Sequence, residues 1–374
     1  MINVIGYFNY FFGIARSAEY MHQFLLLSKI PHEIYNIPTQ SHSPFPRPEG
    51  ETPIKEWEEY KHQIEGCLNI YIMDLVYLEI LYREDTSGVF QKNNNLFYYY
   101  CEIYHQETVS TEFLASQFKA ILTPSKYIQE YVQKNIHPLS LVLPLIDFQK
   151  YVFSSLEDNF FSLLEEKISP DTINCLYITD RKSCRYRKNI DGFLEIVVRM
   201  ALDKVNNEKY FFILKITHLE DDQELVEKIT EIQKTQNNFL LINFYLSDSE
   251  MESLYHLCHV YLSLHRAEGY GLTLLDAMMH HLKIVCVDYS SSSEFLENYQ
   301  GWIKIGHKMV SVKEFPLSFY AGCDSEWADP DLEDVVLKLK GIAHFPKSYP
   351  RDILKSNQKR FHDFLQYLFL KSFD

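Results

Sequence analysis

The stretch from Val260 to Val287 constrains this chain more than any other. Val260-Tyr261-Leu262-Ser263-Leu264 is a short apolar run with the character of a buried strand. A polar break follows, His265-Arg266-Ala267-Glu268, and then the glycines Gly269 and Gly271 on either side of Tyr270. Leu272, Leu275, Ala277 and Met279 give a short helix an apolar face, and Ile284-Val285-Cys286-Val287 is the next strand. Strand, loop, helix and strand in that order make a parallel α/β unit.

The turn in the middle of this unit has the physics of an anion site. Glycine lets the backbone approach a ligand closely and takes positive φ without penalty. The first turn of the helix leaves N–H groups near Gly271, Leu272 and Thr273 without helical partners, and these favour a phosphate together with the helix dipole. A carboxylate beside a phosphate would repel it. Glu268 and Asp276 should therefore face something neutral that carries hydroxyls, such as a sugar ring or a ribose. A plain strand-to-helix turn with two solvated acids would read the same way, because a lone GxG is a weak signal.

The length, 374 residues, predicts about two domains. With 46% hydrophobic residues the chain can fill sizeable cores. A net charge of −15 argues against a nucleic-acid partner, which needs clustered Lys and Arg. It also argues against broad electrostatic docking on anionic lipid. The seven cysteines are scattered, odd in number and without a CxxC pair, so they read as reduced thiols of a cytoplasmic protein and give no zinc site. The amino terminus lacks a signal-peptide pattern, and no run approaches the ~20 apolar residues of a membrane span.

In chain order, Ile2 to Phe8 reads as a strand, Asn9 to Gly13 as a loop and Ile14 to Leu27 as an amphipathic helix. That opening resembles a nucleotide-binding first unit, without the GxGxxG of a dinucleotide fold. Residues 38–62, rich in Pro, Ser and Glu, predict a surface loop free of helix and central strand. Strands are predicted at Leu68–Met73, Phe97–Tyr100 and Leu139–Leu145, with a strand, turn and helix around Phe118–Ile128 capped by Ser125. Glu102, which reads equally as a helix-start acid, and His105 follow the Phe97–Tyr100 strand as polar residues, and residues 148–170 read as the linker.

The second half opens on the strand Asn174–Thr179. Asp180 to Asn189 then concentrates Arg181, Lys182, Arg185, Arg187 and Lys188 at the carboxyl end of that strand, before a helix over Ile190–Leu202. Ligands of open α/β sheets bind at that edge. Lys215, inside the apolar strand Tyr210–Ile216, needs a partner or an exit to solvent and is a weaker phosphate candidate than the cations of the basic run. The acids Glu220 to Glu224 read as a solvated turn and not a metal site. Phe239–Leu246 is predicted as a strand, Ser247 as a cap and Glu250–Cys258 as a helix. Asp331–Lys340 and Pro350–Leu370 read as helices.

Glu268-Gly269-Tyr270-Gly271-Leu272 followed by Asp276-Ala277-Met278 resembles the signature of retaining glycosyltransferases of family four, in which two acids are separated by seven residues. Ser263 to Leu272, Arg187-Lys188-Asn189, the opening from Gly6 to Arg16 and Ser325–Asp331, which resembles a "WAeP" turn, are similar to a bacterial branch that builds surface polysaccharides or lipopolysaccharide. The sequence departs from the family at Asp276 (usually Glu), His281 (usually Gly), Lys283 (usually Pro) and Ser291 (often Gly).

The resemblance implies the GT-B fold: two Rossmann-like parallel-sheet domains facing a cleft. The acceptor-side domain would span residues 1–155, the nucleotide-sugar domain 170–350, and a closing helix over 351–374 would return to the first domain. It implies transfer of a sugar from a nucleotide diphosphate to an acceptor hydroxyl, with retention, at or near the inner face of the membrane. The acceptor would be a glycan or a lipid-linked glycan. Arg187 and Lys188 would hold the pyrophosphate, and with those cations in place neither a metal nor a further cofactor is required. Glu268 would orient sugar hydroxyls and Asp276 the ribose. His265, Gly269, Tyr270, Gly271, Leu272 and Thr273 would line the donor, Gly13 would lie under its phosphates, and backbone near Leu246 would meet the base. Two rivals stay open at this point. One is another GT-B enzyme, a sugar phosphorylase or an epimerase. The other is a catalytically degenerate partner subunit.

Overall fold

A computed structural model describes residues 2–8, 10, 13–38, 53–60, 67–92, 94–100, 111–144, 164, 168, 171–316 and 325–342. Glu102, His105, most of the predicted linker and the predicted Pro350–Leu370 helix lie outside the described residues. The chain divides into two compact units, Met1–Val152 with Asp352–Asp374, and Phe153–Arg351.

The first unit is a parallel sheet of seven strands: β1 (Ile2–Gly6), β2 (His32–Asn36), β3 (Ile54–Glu56), β4 (Leu68–Ile72), β5 (Asn94–Tyr98), β6 (Ala120–Thr123) and β7 (Ser140–Val142). Their order is β3-β2-β1-β4-β5-β6-β7. Parallel strands are covered on both faces, so they read as continuous apolar runs with little alternation. β1 obeys this, buried at every position. The exceptions are asparagines. Asn3 donates to Asn69 at 2.9 Å, Asn69 to Asn95 at 3.2 Å and Asn95 to the Phe90 carbonyl at 2.6 Å, which ties β1, β4 and β5 together at fixed register. The helix Gly13–Leu27 packs Ala15, Ala18, Met21 and Leu25 inward. Ser125 caps the Lys126–Asn135 helix, as its sequence predicts.

One expectation changes here. Residues 38–62 are not free of regular structure: β3 pairs with β2 at the edge of the sheet, and Trp57–Tyr60 is a short helix that buries Trp57 against Tyr71. Of the two early glycines, Gly6 is the constrained one. A Cβ there would lie 2.7 Å from the Ile72 carbonyl oxygen and 2.9 Å from Ala18 Cβ, whereas one at Gly13 would meet nothing within 4 Å.

The second unit holds β8 (Ile173–Asp180), β9 (Tyr210–Thr217), β10 (Phe239–Ile242), β11 (Val260–Ser263), β12 (Lys283–Val287) and β13 (Trp302–Ile305) in the order β10-β9-β8-β11-β12-β13. All are parallel, the doubly wound arrangement whose order reverses between β8 and β11. β14 (His307–Ser311) and β15 (Glu326–Pro330) form a separate antiparallel pair. The predicted Ser325–Asp331 turn is therefore a strand, and Asp331 caps the Leu332–Lys340 helix after it. β10 ends at Ile242, short of the predicted Leu246, and the chain then runs to the Ser247–Glu250 capping box of the Asp248–Leu257 helix.

Candidate functional site

The carboxyl ends of β8 and β11 meet at the point where the strand order reverses, and there the two predicted motifs come together. β8 runs into the turn Arg181–Ser183 and the short helix Arg185–Lys188. β11 runs into the loop His265–Gly271. The segments are joined through the backbone: the Arg266 N–H donates to the Arg187 carbonyl at 2.8 Å.

The five cations of the basic run part company. Arg181 and Arg185 are used for structure. Arg181 Nε donates to Asp222 at 2.6 Å, and Arg185, 6% exposed, bonds Asp191, Asp222 and Glu224. Within the acidic run Glu220, Asp221 and Glu224 are exposed, as expected of a solvated turn, and Asp222 is the exception. Asp222 is buried, accepts from both arginines and caps the Gln223–Thr235 helix through the Leu225 N–H. These bonds hold its carboxyl below the ordinary range although burial opposes them.

Arg187 and Lys188 turn the other way, to the Glu268 loop. Arg187 donates to the Ala267 carbonyl at 3.0 Å and to the Ser183 carbonyl at 3.1 Å, and its Nη1 lies 3.6 Å from Glu268. Lys188 Nζ donates to Glu268 Oε2 at 2.5 Å, and the Lys188 carbonyl accepts from the Tyr177 hydroxyl. Asn189 follows in the left-handed region at φ +59°, which asparagine tolerates, and its side chain caps the Ile190–Ala201 helix at Gly192. Burial pushes the Glu268 carboxyl up, but Lys188 and Arg187 override it and bring it to about 2. One carboxylate against two cations leaves this trio with a positive charge to spare.

The glycine loop completes the site. Gly271 takes φ +91°, and a Cβ there would come 3.0 Å from Leu274 and 3.3 Å from Glu268 Cγ. It begins the Leu272–Met279 helix with no side chain capping the helix amino end. Leu272 and Thr273 are half-buried there, Gly269 is buried, and Tyr270 is buried with its ring against Phe295. Asp276 is buried in the second turn of the same helix. His265 is 1% exposed, with Ser263 Oγ 2.6 Å from Nδ1 and Ser292 Oγ 3.4 Å from Nε2. Burial pulls its imidazole down to about 4, with Lys188 and Arg187 adding to burial and Glu268 opposing it. Gly13, exposed at the start of its helix, belongs to the first unit. His281 stands at φ +64°, which accounts for a glycine being usual at that place.

Two contributors escaped the sequence. Ser290, itself at φ +65°, accepts the Glu268 N–H through its Oγ at 3.2 Å. Arg266 donates to Asp329 at 2.7 Å and to the Tyr186 carbonyl, lies 4.5 Å over the Phe315 ring, and accepts the Ala328 N–H at its carbonyl. A serine run and an arginine beside an acid carry no pattern that marks either role. Among the described residues no group of three or more His, Cys, Asp or Glu side chains could hold a metal, and no helix is long and apolar enough to cross a membrane.

Residues 181–312 match the family model for glycosyl transferases group 1. No curated protein sequence matches the chain. Solved structures do. The E. coli trehalose-6-phosphate protein bound with UDP-2-fluoro glucose superposes with TM-score 0.64 at 10% identity, over 99% of this chain and 98% of that one. WaaG, a glycosyltransferase involved in lipopolysaccharide biosynthesis, gives TM-score 0.51 at 13% identity, over 82% and 86%. The pneumococcal O-GlcNAc transferase GtfA in complex with UDP and GlcNAc gives TM-score 0.53 at 14% identity, over 80% of this chain; the chain spans only 56% of GtfA. Likeness at such identities establishes architecture, and the architecture is that of the GT-B glycosyltransferases, with Arg187, Lys188 and the Glu268 loop inside the segment that the group 1 family model covers.

Proposed function

We propose that this protein transfers a sugar from a nucleotide diphosphate donor to an acceptor hydroxyl, with retention of configuration and without a metal. The observation that carries the reading is the convergence of Lys188 and Arg187 on Glu268, beside the uncapped amino end of the Leu272–Met279 helix. As the anomeric C–O bond breaks, its electron pair goes to the diphosphate oxygen, and the acceptor oxygen joins the anomeric carbon while its proton passes to that departing diphosphate. Fixed cations and N–H groups aimed at that growing charge are the main lever on the barrier. Lys188, Arg187 and the Leu272 and Thr273 N–H groups serve the diphosphate. Glu268, which holds Lys188 in place beforehand, takes the sugar hydroxyls, and Asp276 takes the ribose. The acceptor is a glycan or lipid-linked glycan of surface polysaccharide or lipopolysaccharide assembly, a reading that rests on the Ser263–Leu272 wording and agrees with the fold shared with WaaG.

A melting-temperature panel of nucleotide sugars tests this, because a donor that binds only the native state raises the transition. UDP sugars head the panel, since the pneumococcal and E. coli structures hold UDP or a UDP sugar. Lys188→Ala with Arg187→Ala should lower turnover by about 10²–10³-fold or more. Glu268→Gln should lower turnover with little loss of nucleotide diphosphate affinity. Undiminished transfer by the double variant sinks the assignment. A requirement for inorganic phosphate would instead favour a phosphorylase.

A further inference from the structure

Lys215 is a charge that the fold buries and, among the described residues, leaves without a hydrogen bond or ion pair. It lies in β9, two residues before the carboxyl end of an eight-residue strand that is buried throughout, and it is 6% exposed. Its register partners are Ile178 of β8 and Ile242 of β10, so its sheet neighbours are apolar. Among the described residues it makes no hydrogen bond and no ion pair. The charged group that acts on it is Asp180, the last residue of β8, which shares its face of the sheet by strand alternation. Asp180 is already engaged: its Oδ1 accepts the Lys182 N–H at 2.8 Å and lies 3.0 Å from His218 Nδ1, and His218 Nε2 meets the Tyr245 hydroxyl at 3.1 Å. A lysine in an apolar strand needs a partner or an exit to solvent, and the described residues supply neither.

An ammonium taken out of water without a counter-charge is among the costliest things a core can hold. Burial lowers Lys215 to about 8, with Asp180 opposing the shift. A cost of this kind at the ligand edge of an open sheet points to an absent anion. β9 lies next to β8, and β8 is the strand that delivers Arg187 and Lys188 to the same edge.

We propose that Lys215 is a third cation of the donor site and that its missing partner is a phosphate oxygen of the bound nucleotide. The inference rests on the nucleotide-donor reading given above. Lys215→Met and Lys215→Arg in the full chain test it, with melting curves and calorimetric titration of UDP, GDP, ADP and inorganic pyrophosphate. Lys215→Met should melt higher than wild type, because an uncompensated charge is gone, yet bind both its preferred nucleotide and pyrophosphate at least tenfold more weakly. Lys215→Arg should recover part of the affinity. At pH 8 wild-type binding should take up a proton, seen as a heat that varies with the ionisation enthalpy of the buffer, and Lys215→Met should lose that dependence.

A purely structural lysine would move stability alone, so unchanged affinity in Lys215→Met overturns the proposal. Loss of nucleotide affinity with pyrophosphate affinity intact overturns the phosphate assignment in favour of base or ribose. Wild type binding none of the four probes would overturn the donor reading together with this inference, whereas failure of Lys215→Met alone would leave the donor reading standing.

Discussion

His265 and Glu268 sit side by side with opposite acid–base consequences. The folded state keeps His265 neutral down to about pH 4, while the unfolded chain protonates near 6.5. Between those values the unfolded state binds more protons, so stability falls as pH drops, by about 3 kcal/mol over the whole window. Glu268 adds a second limb. Its folded value is depressed to about 2, so the stabilisation from Lys188 and Arg187 is present above the ordinary 4.5 and is lost as pH falls toward 2. Urea midpoints at pH 7.0 and 4.5 should separate the two: His265→Asn should flatten the loss between those pH values and leave the more acid limb in place. A loss of the same size in His265→Asn would show that another group carries it. Little of this was legible beforehand. Charge sign and spacing can be read from letters, but burial of an imidazole cannot.

At the scale of elements, the site is a junction of three segments, and Arg266 is their common member. Its backbone bonds the Arg185–Lys188 helix on one side and β15 on the other, while its guanidinium reaches Asp329, the Tyr186 carbonyl and the Phe315 ring. Removing the guanidinium frees the Glu268 loop to drift from Lys188, and misplacement by about 1 Å can cost 10²-fold in rate. Arg266→Met should therefore lower kcat strongly at nearly unchanged KM for the donor, and Arg266→Lys should restore part of it. Equal damage to melting temperature and to both kinetic constants would reduce Arg266 to a packing residue. β15, which receives it, has the wording of a turn, because Trp-Ala-Asp-Pro carries a turn residue and its antiparallel partner, β14, lies fifteen or more residues upstream in the sequence.

On the scale of the molecule, each unit has its own core, one around Phe193, Phe212 and Leu214, the other around Tyr35, Tyr71 and Phe97. Chains of this size with separate cores need not unfold in one step. A nucleotide diphosphate should slow hydrogen exchange most strongly in β8, β9 and β11 and raise the unfolding midpoint of the second unit more than that of the first. Protection confined to the first unit would contradict a donor site built on Arg187, Lys188 and Glu268.

What the letters determined was the alternation of apolar runs and amphipathic helices, which admits little besides parallel sheets, and the two motifs, because glycines, acids and cations at strand ends are local facts. Register and pairing brought those motifs to one edge. Only tertiary packing decided that Arg181 belongs to Asp222 while Lys188 belongs to Glu268, and that Lys215 is enclosed without an ion pair among the described residues. Partner choice among like charges depends on which strand ends meet across tens of residues, and burial depends on what covers a side chain, neither of which local sequence encodes.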